Sequence, residues 1–316
     1  MFHPTLSKTG RFLFAPVIRF CEYLGEHHPV TMVQLRYFAA YKRFCELKTP
    51  KDLNEKILYT KLFTDTSSWP ALVDKYRVRE YVQKCGLGHT LVKLYGAWSS
   101  LSEMNWNALP EDFILKANNG DGKGTNKVVR GKSALSEQEI GNLTAMMSDW
   151  LSRKHVGALV AEPQYADIQP CVIAEELLPV EEGQNTITDY KVWCFNGKAH
   201  FIWVCSDRSK GGNSAAVLTY DREWMPHPEY SVFTSDYVQG EPIPRPSNLE
   251  EMLSIAETLS EGFPYLRVDL YNINGKVYFG ELTFTSQGGI NTFFTKEFLD
   301  YTGSFFDVEN LPRKHK

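Results

Sequence analysis

Between Tyr265 and Thr283 apolar and polar residues alternate with period two on either side of Asn274-Gly275, the pattern of two strands joined by a tight turn. In the first strand, Tyr265 to Tyr271, residues Leu266, Val268 and Leu270 take one face and Arg267 and Asp269 the other. In the second, Val277 to Thr283, Glu281 and Thr283 share a face. If the two polar faces coincide, two carboxylates and a hydroxyl oxygen meet beside a guanidinium. That set suits a hard cation such as Mg²⁺ with an anion next to it. A strict two-residue turn instead pairs Asp269 with Gly280 and sends Glu281 to the opposite side. The metal reading therefore requires an odd-length loop or a bulge; without one the segment is an ordinary hairpin with scattered charges. A Ser/Thr/Gly-rich stretch follows, Thr283 to Gly289, through which backbone can approach a ligand closely.

The same alternation predicts a hairpin over Asp189 to Arg208 with its turn at Asn196-Gly197, which brings Lys191 and Arg208 to one end of a sheet. Short strands are expected at Leu91 to Tyr95, at Cys171 to Pro179 with Glu175 and Glu176 at its end, and at Val217 to Tyr220. Leu109 to Val129 reads as strand, glycine loop, strand, with Lys116 ending the first strand and Lys127 opening the second. Backbone N–H groups around Gly120, Gly122 and Gly124 could wrap a phosphate chain. The spacing is neither that of a Walker A loop nor GxGxxG, and such a loop is also a common plain turn.

Helical spacing dominates the first roughly 65 residues, including Val30 to Leu47 and a helix opened by an Asp52…Glu55 capping box. Ser67 to Pro70 is a break. A helix is expected from Asp74 to Gly86, with Asp74 as N-cap and Lys75 and Arg79 on one face. Another starts at the Ser136…Glu139 capping box, with Leu143, Met147 and Trp150 as core. A further one is capped at Asn248 and stops at Gly262, after a Pro-rich connection over Gly240 to Pro246. Helices, then a small strand and helix unit, then a mostly antiparallel sheet make an α+β chain.

The 316 residues are enough for two domains with a sizeable core. A net charge of −4 gives no nucleic-acid footprint for the whole chain. The 6 cysteines are dispersed, with no CxxC pair, so neither zinc spacing nor a secreted disulfide framework is present. Reduced thiols and a cytoplasmic location are expected. No apolar run is long enough to span a bilayer. The basic and apolar stretch Arg11 to Leu24 reads first as a helix packed on the body, with peripheral contact with the inner face of the membrane as the alternative.

Taken together, LKTPKDLNEKI from Leu47, DKYRVREYV from Asp74, LPEDFILKANNGDGKG from Leu109, VIAEELLP, DYKVWCFNGK, RVDLY and FGELTF occur in an order and spacing that resembles the ATP-grasp superfamily. Within it the chain resembles the TupA-like branch found with polysaccharide biosynthesis. The likeness runs from about Leu47 to Asn291. It implies an ATP-grasp fold: a helical region over 1–70, a first subdomain with the glycine lid over 71–180, and a second with the metal site over 181–316.

By resemblance, Lys116 and Lys75 contact ATP phosphates, with Gly120, Gly122 and Gly124 as the lid above them. Glu175, Glu176 and Leu178 form the hinge that holds adenine, and Glu182 is placed for the ribose. Lys191 and Arg208 are further phosphate or substrate contacts. Asp269 and Glu281 are ligands of one or two Mg²⁺ ions, and Arg267 stabilises the transferred group. Thr283 stands where the superfamily usually has Asn, which bears on a second ion. The helical N-terminal region also differs from the usual substrate domain, so acceptor specificity does not carry across.

The expected activity is a carboxylate–amine ligase working through an acyl phosphate on a small-molecule or glycan substrate such as a uronic acid. A sugar kinase on the same residues, a glycosyltransferase and a non-catalytic nucleotide-binding partner are the alternatives. The oligomeric state is left open.

Overall fold

The computed structural model describes residues 14–120, 124–208 and 215–314. Helices come first: α1 Ala15–His27, α2 Pro29–Tyr41, α3 Leu53–Phe63, α4 Trp69–Val73 and α5 Val78–Lys84. Two sheets follow. The first takes its strands from β1 Leu94–Trp98, β2 Phe113–Ala117, β3 Asn126–Val129 and β4 Val172–Glu176, in the spatial order β1-β4-β2-β3, with antiparallel pairing throughout. Helix α6, Glu137–Ser152, packs on β2 and β4.

The second sheet is built from β5 Asp189–Phe195, β6 Lys198–Asp207, β7 Ala215–Asp221, β8 Tyr237–Gln239, β9 Tyr265–Ile273 and β10 Lys276–Thr283. Its order is β10-β9-β5-β6-β7-β8, antiparallel except for the β7–β8 pair. Helix α7, Leu249–Ser260, packs on β5, β6 and β9, and α8, Lys296–Gly303, packs on α3.

Turn and cap chemistry set these elements. Both Asn-Gly turns have positive φ at both residues, +49° and +74° at Asn196-Gly197 and +50° and +77° at Asn274-Gly275, the conformation that matches strand twist in a two-residue hairpin. Both capping boxes form, Asp52 with Glu55 and Ser136 with Glu139, each worth about 1 kcal/mol to its helix.

The two faces of the second sheet differ. Val192, Cys194, Leu266, Val268 and Leu270 pack under α7, α4 and α5. The other face changes along its length. Its turn end is aromatic, with Trp193, Phe195, Phe201 and Tyr265 packed against α3 and α8. Its opposite end carries Asp189, Lys191, Arg267 and Asp269, at most 8% exposed.

Helix α3 is buried from Leu53 to Lys61, as a helix between layers must be, and its polar residues are therefore all bonded. Asn54 Oδ1 accepts from Asn291, and Lys56 Nζ donates to the Phe306 carbonyl. Lys61 Nζ donates to the carbonyls of Val160 (3.0 Å) and Gly288 (2.8 Å).

Some expected boundaries move. The helix predicted over Val30 to Leu47 ends at Tyr41, because Lys42 adopts a left-handed φ of +57°. The strand expected at Leu91 to Tyr95 lies at Leu94–Trp98. The Asn248 side chain does not cap an N–H of α7; its amide donates to the Gly275 carbonyl and so ties the helix to the β9–β10 turn. The helix expected from Asp74 begins at Val78. Asp74 Oδ1 accepts the N–H groups of Tyr76 and Arg77 and holds that segment as a turn, so Lys75 and Arg79 do not share a helix face. Strand β8 was not expected; with three residues it carries too little alternation to detect.

Candidate active site

Strand β9 and strand β10 meet in the register that the two-residue turn alone would forbid. Pairing runs Ile273↔Lys276 to Leu270↔Phe279, then skips Gly280 and resumes at Asp269↔Glu281 and Arg267↔Thr283. Gly280 is the bulge that the metal reading required. A Cβ there would lie 2.9 Å from the Asp269 carbonyl oxygen, so only glycine fits without a shift. The bulge places Arg267, Asp269, Glu281 and Thr283 on one face.

Arg267 is held at every nitrogen. Nε and Nη2 donate to the two Asp269 oxygens (2.7 and 2.8 Å), Nη2 also to Thr283 Oγ1 (3.0 Å), and Nη1 to Ser286 Oγ (2.8 Å). Lys191 Nζ bonds Asp269 Oδ2, and lies 2.7 Å from Asp189 Oδ2. Arg208 Nη2 joins the same Asp189 oxygen at 3.2 Å. Lys191 and Arg208 are thus brought together, through an acid that sequence reasoning did not single out. Asp189 escaped because an acid at the first position of a strand carries no periodicity signal of its own.

Glu281 is the outward member, its side chain 41% exposed, with Lys75 Nζ at 2.7 Å. Lys75 also joins the two sheets. Its backbone N–H donates to the Asn118 carbonyl at 2.9 Å, just beyond β2, while its side chain reaches β10. On the first sheet, Glu175 lies in the ladder between β1 and β2 and accepts from Lys116 (2.8 Å) and Arg79 (3.0 Å). Arg79, paired with Lys75 on a basic face in the sequence but given no role there, is a further cation of the site.

Burial and charge oppose each other here. Burial alone would raise Glu281, yet Lys75, Lys191 and Arg267 outweigh it and hold the carboxyl well below its ordinary value. For Asp269 burial prevails over Arg267 and Lys191, and its carboxyl is pushed up. Lys75 is raised: burial is overcome by Glu281, Asp269 and Glu175. Lys191 is raised in the same way by Asp189 and Asp269.

The hinge residues divide. Glu176 is the exposed last residue of β4. Leu178 packs with Val92 and Ile273, and Ile187, Tyr271 and Tyr278 surround them, forming an apolar wall that touches both sheets. Glu182 is exposed; its neighbour Glu181 accepts the Asn274 N–H at 2.6 Å and fastens the linker to the β9–β10 turn. Gly120 is buried, and a Cβ on it would lie 2.5 Å from Thr125 Oγ1. Gly124 adopts φ +78°, and its carbonyl accepts from Trp150 Nε1 at 2.7 Å. Trp150 is core, as expected, and also an anchor of the glycine loop. Gly122 lies outside the described residues.

The donor set fits a divalent cation bound together with a polyanion. No group of three or more His, Cys, Asp or Glu that could hold a metal by itself occurs among the described residues. What the protein offers is two hard carboxylates and a hydroxyl side by side, which suits Mg²⁺ completed by phosphate oxygens. The ion pairs of the site engage six cations (Lys75, Arg79, Lys116, Lys191, Arg208, Arg267) and four carboxylates (Glu175, Asp189, Asp269, Glu281). The excess of positive charge suits phosphates.

Residues 55–307 match the family model for TupA-like ATPgrasp. No curated protein matches the chain. Among solved structures, D-alanine–D-alanine ligase from Helicobacter pylori is 14% identical with a TM-score of 0.44, over 83% of this chain and 68% of that one. The corresponding ligase from Bacillus anthracis is 14% identical with a TM-score of 0.40, over 74% of this chain and 60% of that one. A phosphoribosylamine–glycine ligase from Thermotoga maritima is 15% identical with a TM-score of 0.42, over 72% and 52%. These are loose likenesses, and this chain spans about three fifths of the Bacillus anthracis ligase. The match over 55–307 covers most of the sequence, including every residue of the site just described, and on that ground the chain belongs to the TupA-like ATP-grasp family and has the ATP-grasp fold.

Proposed function

We propose that this protein is an ATP- and Mg²⁺-dependent carboxylate–amine ligase that works through an acyl phosphate. The observation that carries the reading is the alignment of Asp269 with Glu281 across the Gly280 bulge, beside Arg267 and Lys191 and paired with Lys75. In this reading the purine lies against Leu178, Val92 and Ile273 near the Glu176–Leu178 backbone, with Glu182 toward the ribose. The phosphates run past Lys75 and Lys116, near the backbone of Gly120 and Gly124. Asp269 and Glu281, with the Thr283 oxygen beside them, would hold Mg²⁺, which would supply charge neutralisation on phosphate oxygens.

The substrate carboxylate oxygen attacks the γ-phosphorus, the bond to the bridging oxygen breaks, and ADP leaves. An amine nitrogen then attacks the acyl carbon, inorganic phosphate departs, and the nitrogen gives up a proton to solvent. Lys191 and Arg208 orient the anionic substrate, and Arg267 steadies the negative charge that develops. No protein nucleophile takes part. Cys205, the thiol nearest the site, is pushed up to about 11 by burial and stays protonated at neutral pH. The substrate class proposed is an amino acid or amine joined to a uronic-acid glycan or its precursor.

The test is ADP release with Mg-ATP and hydroxylamine across a panel of uronic acids and amino acids. Hydroxamate formed with one carboxylate supports the ligase and identifies half of the substrate pair. ADP together with a stable phosphorylated product and no hydroxamate replaces the ligase by a kinase. Failure of ATP to bind at all in a parallel titration overturns the nucleotide site itself.

A further inference from the structure

Eight of the fifteen large hydrophobic side chains that stand exposed among the described residues lie between Phe14 and Phe44. The most open are Phe44 at 64%, Phe20 at 60%, Leu35 at 52% and Tyr23 at 51%. On α1, Phe20 and Tyr23 share one side with Pro16 and His27, at spacings of four, three and four. The opposite side is fixed against the body: Gly25 is buried so closely on Ala158 that a Cβ would lie 1.7 Å from its carbonyl oxygen. The exposed stripe is therefore a consequence of how the helix docks. Helix α2 packs on α1, and beyond its end the Phe44 ring meets Phe38 at 5.3 Å, beside Lys42.

Charge separates along with apolarity. Residues 1–51 hold eight Lys or Arg and three Glu, a net +5, while the remaining 265 residues hold 26 and 35, a net −9. An acidic protein thus gathers most of its exposed aromatics on a basic segment, although its Arg43 is taken up by Asp52 and Glu55. Of the three acids there, Glu26 is taken up by His155 at 2.6 Å. Aromatic side chains rimmed by Arg and Lys complement the acyl boundary and phosphates of an anionic bilayer. No described helix is long and apolar enough to cross a membrane, so the contact is with its surface.

We propose that the α1–α2 hairpin docks on an anionic lipid bilayer, laying Phe20, Tyr23 and Phe44 into the headgroup region with Arg19, Lys42 and Lys48 on lipid phosphates. The proposal is independent of the reaction catalysed, since none of these side chains touches the candidate active site.

The experiment is co-sedimentation of the full chain with vesicles of phosphatidylcholine alone or mixed equally with phosphatidylglycerol, over a range of salt. Binding is expected only with phosphatidylglycerol, falling as salt rises. Lys42→Gln and Lys48→Gln should each lower the partition coefficient about fivefold, and Phe20→Ser with Phe44→Ser should lower it further at an unchanged circular dichroism spectrum and Tm. Absence of wild-type binding at low salt overturns the proposal, as does a Phe20→Ser/Phe44→Ser variant that binds as the wild type does. A wild-type dimer that Phe20→Ser converts to monomer assigns the face to a second copy and likewise overturns it.

Discussion

Asp269 and Glu281 stand directly opposite each other on neighbouring strands only because Gly280 is left out of the ladder between them. One unpaired residue decides whether the second carboxylate faces the first or the other side of the sheet.

Gly280→Val should separate them. Its Cβ would lie 2.9 Å from the Asp269 carbonyl oxygen and 3.3 Å from the Tyr271 ring, so the bulge must shift at a cost of about 1–3 kcal/mol. Mg-ATP turnover is expected to fall on the order of a hundredfold, since a misplacement of about 1 Å is enough for that. Kinetics together with a thermal melt check it: wild-type turnover in a mildly destabilised protein would show that the bulge is incidental to the site.

The two carboxylates should respond differently to removal of charge. Glu281→Gln touches a half-exposed side chain, so turnover should be lost on the order of a thousandfold with little change in Tm. Asp269→Asn leaves the guanidinium of Arg267 buried without its paired acid and Lys191 with Asp189 alone, which should cost about 3–5 kcal/mol as well. ADP release and urea unfolding on both variants distinguish the cases. Equal stability loss in the two would contradict the burial difference.

Trp150→Phe removes the indole N–H that holds the Gly124 carbonyl while keeping an aromatic ring in the core. The expected outcome is a several-fold rise in KM for ATP with kcat nearly unchanged, at a stability cost of about 1 kcal/mol. An unaltered KM would separate the glycine loop from nucleotide binding.

Lys61 gives a pH signature. Burial pushes its ammonium down to about 7, despite Glu162. The unfolded chain then holds a proton that the folded protein has lost between that value and the ordinary 10.5, so stability should rise with pH through this window, by at most about 1.4 kcal/mol per unit. Lys61→Met should flatten that slope while loosening Gly288. Urea midpoints from pH 7 to 10 decide it; the same slope in both proteins would show that Lys61 keeps its proton.

Much of this was legible in the chain. Period-two alternation located β5, β6, β9 and β10, and Asn-Gly fixed both of their turns. Parity showed that the metal reading needed an odd-length loop or a bulge, but nothing in the sequence chose between them or said that Gly280 would be the residue left out. The pairing partners were not legible. Lys75 and Glu281 are 206 positions apart and meet only through the packing of two sheets. Asp189 and Lys61 were invisible, and Arg79 was seen only as part of a basic helix face, for a related reason: a charged residue on a helix or at a strand end reads as solvated until the element that buries it is known. The LNEKI segment marked the family, but its Asn54, Glu55 and Lys56 are structural ties, to Asn291, to Arg43 and to the Phe306 carbonyl.

The double hold of Lys75 has a last consequence. One ammonium cannot neutralise both Glu281 and a nucleotide phosphate at full strength, so under the proposed function a phosphate that drew Lys75 away would release Glu281 as a ligand. Nucleotide and cation then assist each other's entry, a heterotropic exchange written into a single side chain. Mn²⁺ titrations with and without ADP would register it as tighter metal binding in the nucleotide's presence, a gain that Lys75→Met should abolish and whose absence in the wild type would rule the exchange out.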